Sequence, residues 1–274
     1  MVEQAYYEKG FQKSVSDTHS WRTVANSSKF VLDVLQPNYK VLDVGCGPGS
    51  ITIDFAQNYL TNGGFIIGIE PTHELIDLAN ENKNKTAPNL TNITFQEGSI
   101  YKIPFDDNTF DLVHAHQVVI HLENPVNALK ELQRVTKPGG FVCVKDADLE
   151  SIIASPEKYD ILKQYYVLKA KNALSTDIRA GRTLREKAIK AGYKPDDITT
   201  TMSHWLMCDD RNSKLQWAEL AKNRILNGGE VVFPEDAKKN DEMKAQMVEK
   251  WDEWKQDENS LLEMTHFEII YKKS

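Results

Sequence analysis

The chain has 274 residues, of which 41% are hydrophobic and 27% are charged, and its formal net charge is -7 at neutral pH. This length allows one large domain or two small ones. The acidic balance argues against a protein that binds nucleic-acid phosphates in general, because such proteins are basic. The apolar runs are far shorter than the ~20 residues that span a bilayer, so no membrane span is expected.

The three cysteines, Cys46, Cys143 and Cys208, lie far apart and form no CxxC pair. This spacing predicts reduced thiols and no metal site. The N-terminus has no apolar stretch of the kind found in signal peptides. Together these features predict a cytoplasmic protein.

Residues 40–146 alternate between apolar segments and amphipathic ones. Strands are predicted at residues 40–45, 65–70, 92–98, 110–116 and 141–146. Helices are predicted at residues 51–60, after a Thr72 cap, and after Asn124-Pro125, where proline suits a first turn; Lys137-Pro138-Gly139-Gly140 is expected to stop that last helix. Strands alternating with helices predict an α/β fold with a parallel sheet covered on both faces.

A glycine-rich turn, residues 43–49, follows the first predicted strand. Gly45 and Gly47 have no Cβ atom, so the backbone can turn tightly and approach a ligand closely. In a parallel sheet the ligand lies at the carboxyl ends of the strands, where this turn is placed. The turn departs from the dinucleotide fingerprint, because position 50 is Ser50 and Pro48 removes an amide that a pyrophosphate would use. It therefore favours a nucleoside ligand without phosphates.

Glu70 ends the second predicted strand, at the same edge of the sheet. A carboxylate in this place can accept hydrogen bonds from both ribose hydroxyls. The glycine turn and Glu70 together predict a site for a nucleoside cofactor.

Three segments carry a family resemblance: VLDVGCGPGSITIDFA, IIGIEPTHELIDLA, and FDLVHAHQVVIHLENPVNALKELQRVTKPGG. They resemble class I S-adenosylmethionine-dependent methyltransferases, and more narrowly the ubiquinone/menaquinone-biosynthesis-like branch that acts on small molecules. The resemblance covers about residues 15–150. It implies a Rossmann-like doubly wound sheet of seven strands, mostly parallel with an antiparallel last strand, plus a helical lid and insertions.

The resemblance also implies the cofactor, S-adenosyl-L-methionine, with S-adenosyl-L-homocysteine as product. The cofactor contacts that it implies are Gly45, Cys46 and Gly47 at the amino-acid part, Glu70 and Pro71 at the ribose, Gly98, Ser99 and Ile100 at the adenine, His116, Gln117 and Val118 at the methionine side, and Trp21 and Arg22 in the lid. Ser99 departs from the family, which usually has an acid there, so this serine would bond the adenine amino group more weakly.

Methyl transfer is an in-line displacement that depends mainly on holding the acceptor in position. A general base is needed only if the acceptor loses a proton. His121, which follows the fourth predicted strand, is the candidate catalytic residue, although it could instead cap or pack the next helix. Asp146 and Asp148 are weaker candidates, since each could be solvated or bonded to backbone amides.

The flanks are expected to complete a single domain, with residues 1–39 as lid, 40–146 as cofactor-binding core, and 147–274 as closing elements around an insertion at 209–258. The closing elements are predicted as helices at 157–174 and 182–193 and strands at 198–207 and 264–273. All five tryptophans lie in the flanks. Trp251 and Trp254 are interpreted as core, whereas for Trp205 and Trp217 core and pocket remain equally open.

Residues 158–194 carry ten basic and three acidic side chains. They could be a solvated face, or Arg179, Arg182 or Arg185 could bind an anionic acceptor. No aromatic side chains interleave with these arginines as stacking platforms, so nucleic acid is not expected. The sequence favours methyl transfer to a small organic molecule. The alternatives left open are a nucleotide-cofactor oxidoreductase and a cofactor-binding regulator without catalysis.

Overall fold

The computed structural model describes residues 12–171 and 176–274, and these residues form an eight-stranded sheet with helices around it. The strands are β1 (Lys40–Val44), β2 (Phe65–Glu70), β3 (Ile93–Glu97), β4 (Phe110–His116), β5 (Thr136–Ala147), β6 (Ile153–Ser155), β7 (Ile198–Met207) and β8 (Leu261–Lys272). The helices are α1 (Lys13–Ser20), α2 (Val24–Ser27), α3 (Ser50–Asp54), α4 (His73–Thr86), α5 (Pro125–Val135), α6 (Asp160–Lys171), α7 (Ala180–Lys190), α8 (Arg211–Asn227) and α9 (Ala237–Gln256).

The strand order is β3-β2-β1-β4-β5-β8-β6, and β7 pairs with β8. Strands β1 to β5 pair in parallel, whereas β8 runs antiparallel to β5, β6 and β7. The chain leaves β1 toward β2 on one side and returns to β4 on the other. This reversal makes the carboxyl end of β1 a topological switch point, where open α/β sheets bind ligands.

The predicted α/β fold, the five core strands and the antiparallel last strand are confirmed, and the described sheet has one short strand beyond the seven expected. The eighth strand is β6, which pairs with the start of β8. Only three residues long, it is too short to show an alternating pattern. Strand β5 also begins earlier than predicted, because Gly139 donates to the Lys273 carbonyl and Gly140 accepts from the Lys273 amide, which extends the strand into the glycine segment.

Two predicted helices have different bounds in the structure. The helix predicted at 51–60 is α3 followed by a π-helical turn over Phe55–Tyr59. The helix predicted at 157–174 is a 3-10 turn, Glu157–Tyr159, followed by α6, and residues 172–174 lie outside the described part of the chain.

A second hydrophobic core lies beyond the sheet core. It joins Ile120 and Ala147, which follow β4 and end β5, to side chains of α6, α8, α9 and the end of β7. Trp251 and Trp254 are buried in it with ring centres 5.3 Å apart. Trp254 agrees with its interpretation as core, whereas Trp251 belongs to this core and also lines the cavity described below. The flanking elements therefore pack over the carboxyl ends of β4 and β5. Within residues 12–171 and 176–274, no helix has the length and apolar character that crossing a membrane requires.

Candidate functional site

A cavity of about 350 Å³ lies at the carboxyl ends of β1, β2 and β4, within the size range of small-molecule sites. Its wall combines the glycine turn, α1, the segment after β4, α6, α8 and the loop after α8. Nine of the residues predicted from the sequence line it: Arg22, Gly45, Cys46, Gly47, Glu70, His116, Gln117, Val118 and His121.

Five other predicted site residues do not line this cavity: Trp21, Pro71, Gly98, Ser99 and Ile100. Trp21 packs behind the wall, edge-on to Trp205 at 4.9 Å between ring centres. The Gly98 amide donates to the Glu70 carbonyl, so the segment after β3 adjoins the end of β2. The Ser99 hydroxyl accepts from the Tyr101 amide and Ile100 is buried in the sheet core.

The glycine turn is held by β2 and leaves space above it. Gly45 and Cys46 donate their amides to the Ile69 carbonyl at 2.8 and 3.1 Å. Gly45 and Gly47 have φ angles of 71° and 54°, which favour glycine. A Cβ on Gly45 would stand 2.4 Å from Val118, whereas a Cβ on Gly47 would meet nothing within 4 Å. The first glycine is thus required by packing, and the second leaves its backbone open to a ligand.

The Glu70 side chain is buried, and its two oxygens accept from the Gly47 and Thr72 amides, both at 3.3 Å. Burial raises the pKa of this carboxyl from 4.5 to about 7. The two bonds are long, so the carboxyl retains capacity for shorter bonds to a pair of hydroxyls. The open turn and this carboxyl fit the amino-acid part and the ribose of S-adenosylmethionine.

A buried hydrogen-bonded group supports the turn from below. His114 Nδ1 lies 2.7 Å from Asp43, which also accepts from Thr52, and His114 Nε2 lies 2.9 Å from the Ser28 hydroxyl. This group ties β1, β4, α3 and the segment after α2 together. Sequence reasoning missed it, because its members come from four separate segments.

Arg22 connects the predicted lid to the sheet. Its guanidinium donates to Gln117 Oε1 at 2.6 Å, and the Gln117 amide group donates to His266 Nε2 at 2.8 Å. Gln117 has a φ of 54°, a conformation that costs a non-glycine residue free energy and that occurs at functional sites. In this strained conformation Gln117 accepts the hydrogen bond that holds Arg22 beside the carboxyl end of β4.

His116 and His121 both line the cavity. Burial lowers the pKa of His121 to about 3, with further lowering from Arg224 and Lys169. Burial, together with the charges of Arg22 and Lys145, lowers the pKa of His116 well below its usual value. Both imidazoles are therefore neutral near pH 7.

A buried ion-pair cluster forms the far end of the cavity. Lys169 and Arg224 both donate to Glu230 Oε1, at 2.9 and 2.6 Å, and the Tyr165 hydroxyl donates to the other oxygen at 3.2 Å. The two cations hold the pKa of Glu230 at about 2 against its burial, and burial lowers the pKa of Lys169 to about 8. Sequence reasoning missed Lys169 and Glu230, because no motif marks residues that α6 and a loop bring together.

The arginines considered for an anionic acceptor lie outside this cavity. Arg179 pairs with Glu150, Arg182 with Asp148 and Glu150, and Arg185 donates to the Ile198 and Pro195 carbonyls.

The two aspartates considered as bases also lie outside the cavity. Asp146 accepts from the Ile120 amide and Asp148 from Ser151 and Arg182. Over the residues with described positions, no group of three His, Cys, Asp or Glu side chains is arranged to hold a metal ion.

Comparison with known proteins gives the family. The sequence profile of a methyltransferase domain matches residues 35–186. An uncharacterised methyltransferase of Schizosaccharomyces pombe is 41% identical to this chain over 99% of it and 98% of that protein. Demethylmenaquinone methyltransferase of Staphylococcus epidermidis is 35% identical over 39% of this chain and 43% of its own length.

The fold has solved counterparts as well. The YcgJ protein of Bacillus subtilis superposes with a TM-score of 0.57 over 90% of this chain and 97% of that one, at 15% identity. With the glycine turn, Glu70 and the switch-point cavity, these matches exclude the oxidoreductase alternative. The chain belongs to the methyltransferase family and is a class I S-adenosylmethionine-dependent methyltransferase.

Proposed function

We propose that the protein methylates a small organic molecule that binds between the glycine turn and the Lys169–Glu230 end of the cavity. The observation that carries this proposal is the continuity of one cavity from the cofactor turn to a chamber walled by α1, α6 and α8. When bound, the cofactor supplies an electrophilic methyl group on a sulfonium. The chain's part is to exclude water and to hold the acceptor in line, which supplies most of the rate enhancement in such displacements.

The cofactor contacts implied by the resemblance are proposed as follows. Gly45, Cys46 and Gly47 hold the amino-acid part, Glu70 and Pro71 the ribose, Gly98, Ser99 and Ile100 the adenine, and His116, Gln117 and Val118 the methionine side, with Trp21 and Arg22 closing the lid. Support is strongest for Glu70, whose buried carboxyl faces the cavity beside Gly47. It is weakest for the adenine residues, which lie outside the cavity wall.

His121 is proposed to contact the acceptor. It lines the chamber, within the field of Arg22, Lys169 and Arg224. A pKa of about 3 makes its imidazole neutral, so it would orient the acceptor through a hydrogen bond rather than store a proton. His121→Ala should lower turnover and leave the affinity for S-adenosylmethionine unchanged. Equal turnover would remove His121 from the reaction.

The acceptor is proposed to carry an anionic group. Arg22, Lys169 and Arg224 line the cavity, and Glu230 pairs with the last two of them, which leaves an excess of positive charge around His121. This excess favours an anionic ligand over a cationic one. These cations take the role in binding an anionic acceptor that the sequence suggested for Arg179, Arg182 or Arg185, which lie outside the cavity and have other partners.

One experiment tests the function and one finds the acceptor. Calorimetric titration should give heat with S-adenosylmethionine and none with NAD, and absence of heat with the former would refute the proposal. A screen of cell-extract metabolites for release of S-adenosylhomocysteine would then identify the acceptor. No release across a broad panel would favour a cofactor-binding regulator.

The single-domain organisation into lid (1–39), core (40–146) and closing region (147–274) is also a proposal, as is a cytoplasmic location. The free thiols of Cys46, Cys143 and Cys208 support the reducing compartment. Residues 1–11 of the lid lie outside the described part of the chain. Fluorescence microscopy of a tagged protein would test the location.

A further inference from the structure

Two buried polar groups of the cavity wall have no hydrogen-bond partner among residues 12–171 and 176–274: both ring nitrogens of His116 and the indole N–H of Trp217. His116 is 5% exposed, and the Trp217 nitrogen is buried although its ring is only partly so. Buried polar groups without partners are uncommon, because each has given up its bonds to water. Two of them in one cavity point to a ligand that supplies the missing bonds.

Two neighbouring histidines lie beside the His116 ring without bonding its nitrogens. This ring lies nearly parallel to those of His114 and His266, with ring centres 6.5 and 6.3 Å away and interplanar angles of 15° and 21°. Those two imidazoles are already bonded, His114 to Asp43 and His266 to Gln117. Neither of them bonds a nitrogen of His116, so these nitrogens remain available to a ligand in the cavity that His116 lines.

His116 is neutral in this place. Arg22 from the lid, Lys145 from β5, His266 from β8 and His114 from its own strand all add to the effect of burial and lower its pKa. A neutral imidazole carries one N–H donor and one nitrogen acceptor. It can accept a hydrogen bond from a hydroxyl, whereas the neighbouring cations oppose a lasting positive charge on the ring.

Trp217 offers a donor alone. Its ring and that of His116 flank Trp205, with ring centres 5.9 and 6.0 Å from it. The indole nitrogens of Trp21 and Trp205 are both bonded, to the Thr18 and Asn26 carbonyls at 3.0 and 2.8 Å. Within this aromatic wall, Trp217 is thus the indole whose donor remains for an oxygen of the ligand.

We propose that the methyl acceptor is a planar hydroxy-carbonyl or hydroxy-carboxyl compound. Its hydroxyl donates to His116, its carbonyl or carboxylate oxygen accepts from Trp217, and its plane lies along Trp205. This inference rests on the proposed function and adds the hydrogen-bond pattern of the substrate. The pattern makes His116 and Trp217 residues that set substrate specificity.

The test uses three matched, uncharged probes, so that Lys169 and Arg224 do not decide the outcome. 4-Hydroxyacetophenone has both groups, 4-methoxyacetophenone lacks the hydroxyl donor, and 4-ethylphenol lacks the carbonyl. The affinity of each is measured by calorimetry on the protein saturated with S-adenosylhomocysteine. 4-Hydroxyacetophenone should bind about three- to tenfold more tightly than either of the others, the ratio that one hydrogen bond provides.

Two variants and one control assign the contacts. His116→Phe should abolish the preference for the hydroxyl, and His116→Asn, which keeps an acceptor oxygen, should restore part of it. Trp217→Phe should abolish the preference for the carbonyl. Trp254→Phe removes an indole N–H that is likewise buried and without a partner but does not line the cavity, so it should change neither preference.

The outcomes separate this inference from the function on which it rests. If S-adenosylhomocysteine does not bind the wild-type protein, the proposed function fails. If it binds and the three probes then bind equally, or none binds, the inference alone is overturned. Nitrogen NMR of the wild-type histidines gives a reading that needs no variant, since 4-hydroxyacetophenone should shift the His116 resonances and 4-methoxyacetophenone should not.

Discussion

Glu70, beside the glycine turn, has a carboxyl pKa within the physiological range. Its carboxyl has a pKa of about 7 because it is buried, and it is protonated below that value. The ionised form accepts hydroxyl donors better than the protonated form. We therefore expect the affinity for S-adenosylmethionine to rise by up to about tenfold per pH unit below pH 7 and to level off above it. Calorimetry from pH 5.5 to 8.5 would measure this slope.

Glu70→Gln should remove the slope and weaken binding at high pH by about 1–3 kcal/mol, the contribution of a hydrogen bond to a charged group. Glu97→Gln is the matched control, because Glu97 ends the neighbouring strand but is exposed and lies outside the cavity. It should retain both slope and affinity. A slope that persists in Glu70→Gln would assign the titration to another group, such as buried Asp146, whose pKa is also about 7.

A comparison of alanine substitutions at Gly45 and Gly63 separates the steric overlap at the glycine turn from the strain of a positive φ angle. Both have φ near 70°, so alanine costs each roughly 1–2 kcal/mol of strain. A Cβ at Gly45 would additionally overlap Val118, whereas at Gly63 it would meet nothing within 4 Å. Gly45→Ala should therefore be about 1–3 kcal/mol less stable than Gly63→Ala in urea unfolding. Equal stabilities would mean that Val118 moves aside freely.

The site residues that could be predicted from the sequence are those marked by their own neighbours in the chain. Gly45, Gly47 and Glu70 follow strands that the sequence makes plain, and a parallel sheet brings such ends together. Lys169 and Glu230 lie 61 residues apart, and only the packing of α6 against the loop after α8 joins them. The Ser99 hydroxyl accepts from the Tyr101 amide in its own turn, and its contact with the adenine stays a prediction.

At the scale of elements, a buried ion pair joins β5 to β8. Lys145 and Glu268 are 3.2 Å apart, with side chains 3% and 5% exposed, and Lys145 also donates to Ser203 on β7. Removing one partner of such a pair leaves a buried charge uncompensated. Glu268→Gln should therefore lower the free energy of unfolding by about 3–5 kcal/mol, measured in urea at pH 7.

The exposed pair of Lys190 and Glu186 on α7 provides the comparison, with side chains 63% and 60% exposed. Glu186→Gln should change stability by no more than about 1 kcal/mol, because water screens the pair. Similar losses in the two variants would show that the pair between β5 and β8 is solvated.

Elements with a long periodic pattern were predictable, and short or irregular ones were not. Strand β4 and helix α5 were recognised from seven and eleven residues of consistent pattern. Strand β6 has only three residues. The first residues of β5 are in a strand because Gly139 and Gly140 pair with Lys273, near the other end of the chain. Such pairing depends on tertiary contact and leaves no local signal.

At the scale of the molecule, the segment proposed as lid and the one proposed as insertion lie far apart in the chain but pack against each other. Helix α1 packs against α8, and Trp21 lies edge-on to Trp217 at 5.4 Å between ring centres. Arg22 reaches from the same segment to Gln117 after β4. A cofactor in the cavity would therefore touch the core and the lid at once and couple their motions.

This coupling predicts where S-adenosylmethionine slows hydrogen exchange. Helix α1 has only eight residues, so its amides should exchange through local opening when the cavity is empty. Cofactor that bridges Glu70 and Arg22 should protect these amides and those of residues 45–50 at exchange times too short for global unfolding. Helix α5 does not line the cavity and should be unaffected, which makes it an internal reference. Arg22→Ala should bind cofactor without protecting α1, whereas unchanged exchange of α1 in the wild-type protein would contradict its role as a lid.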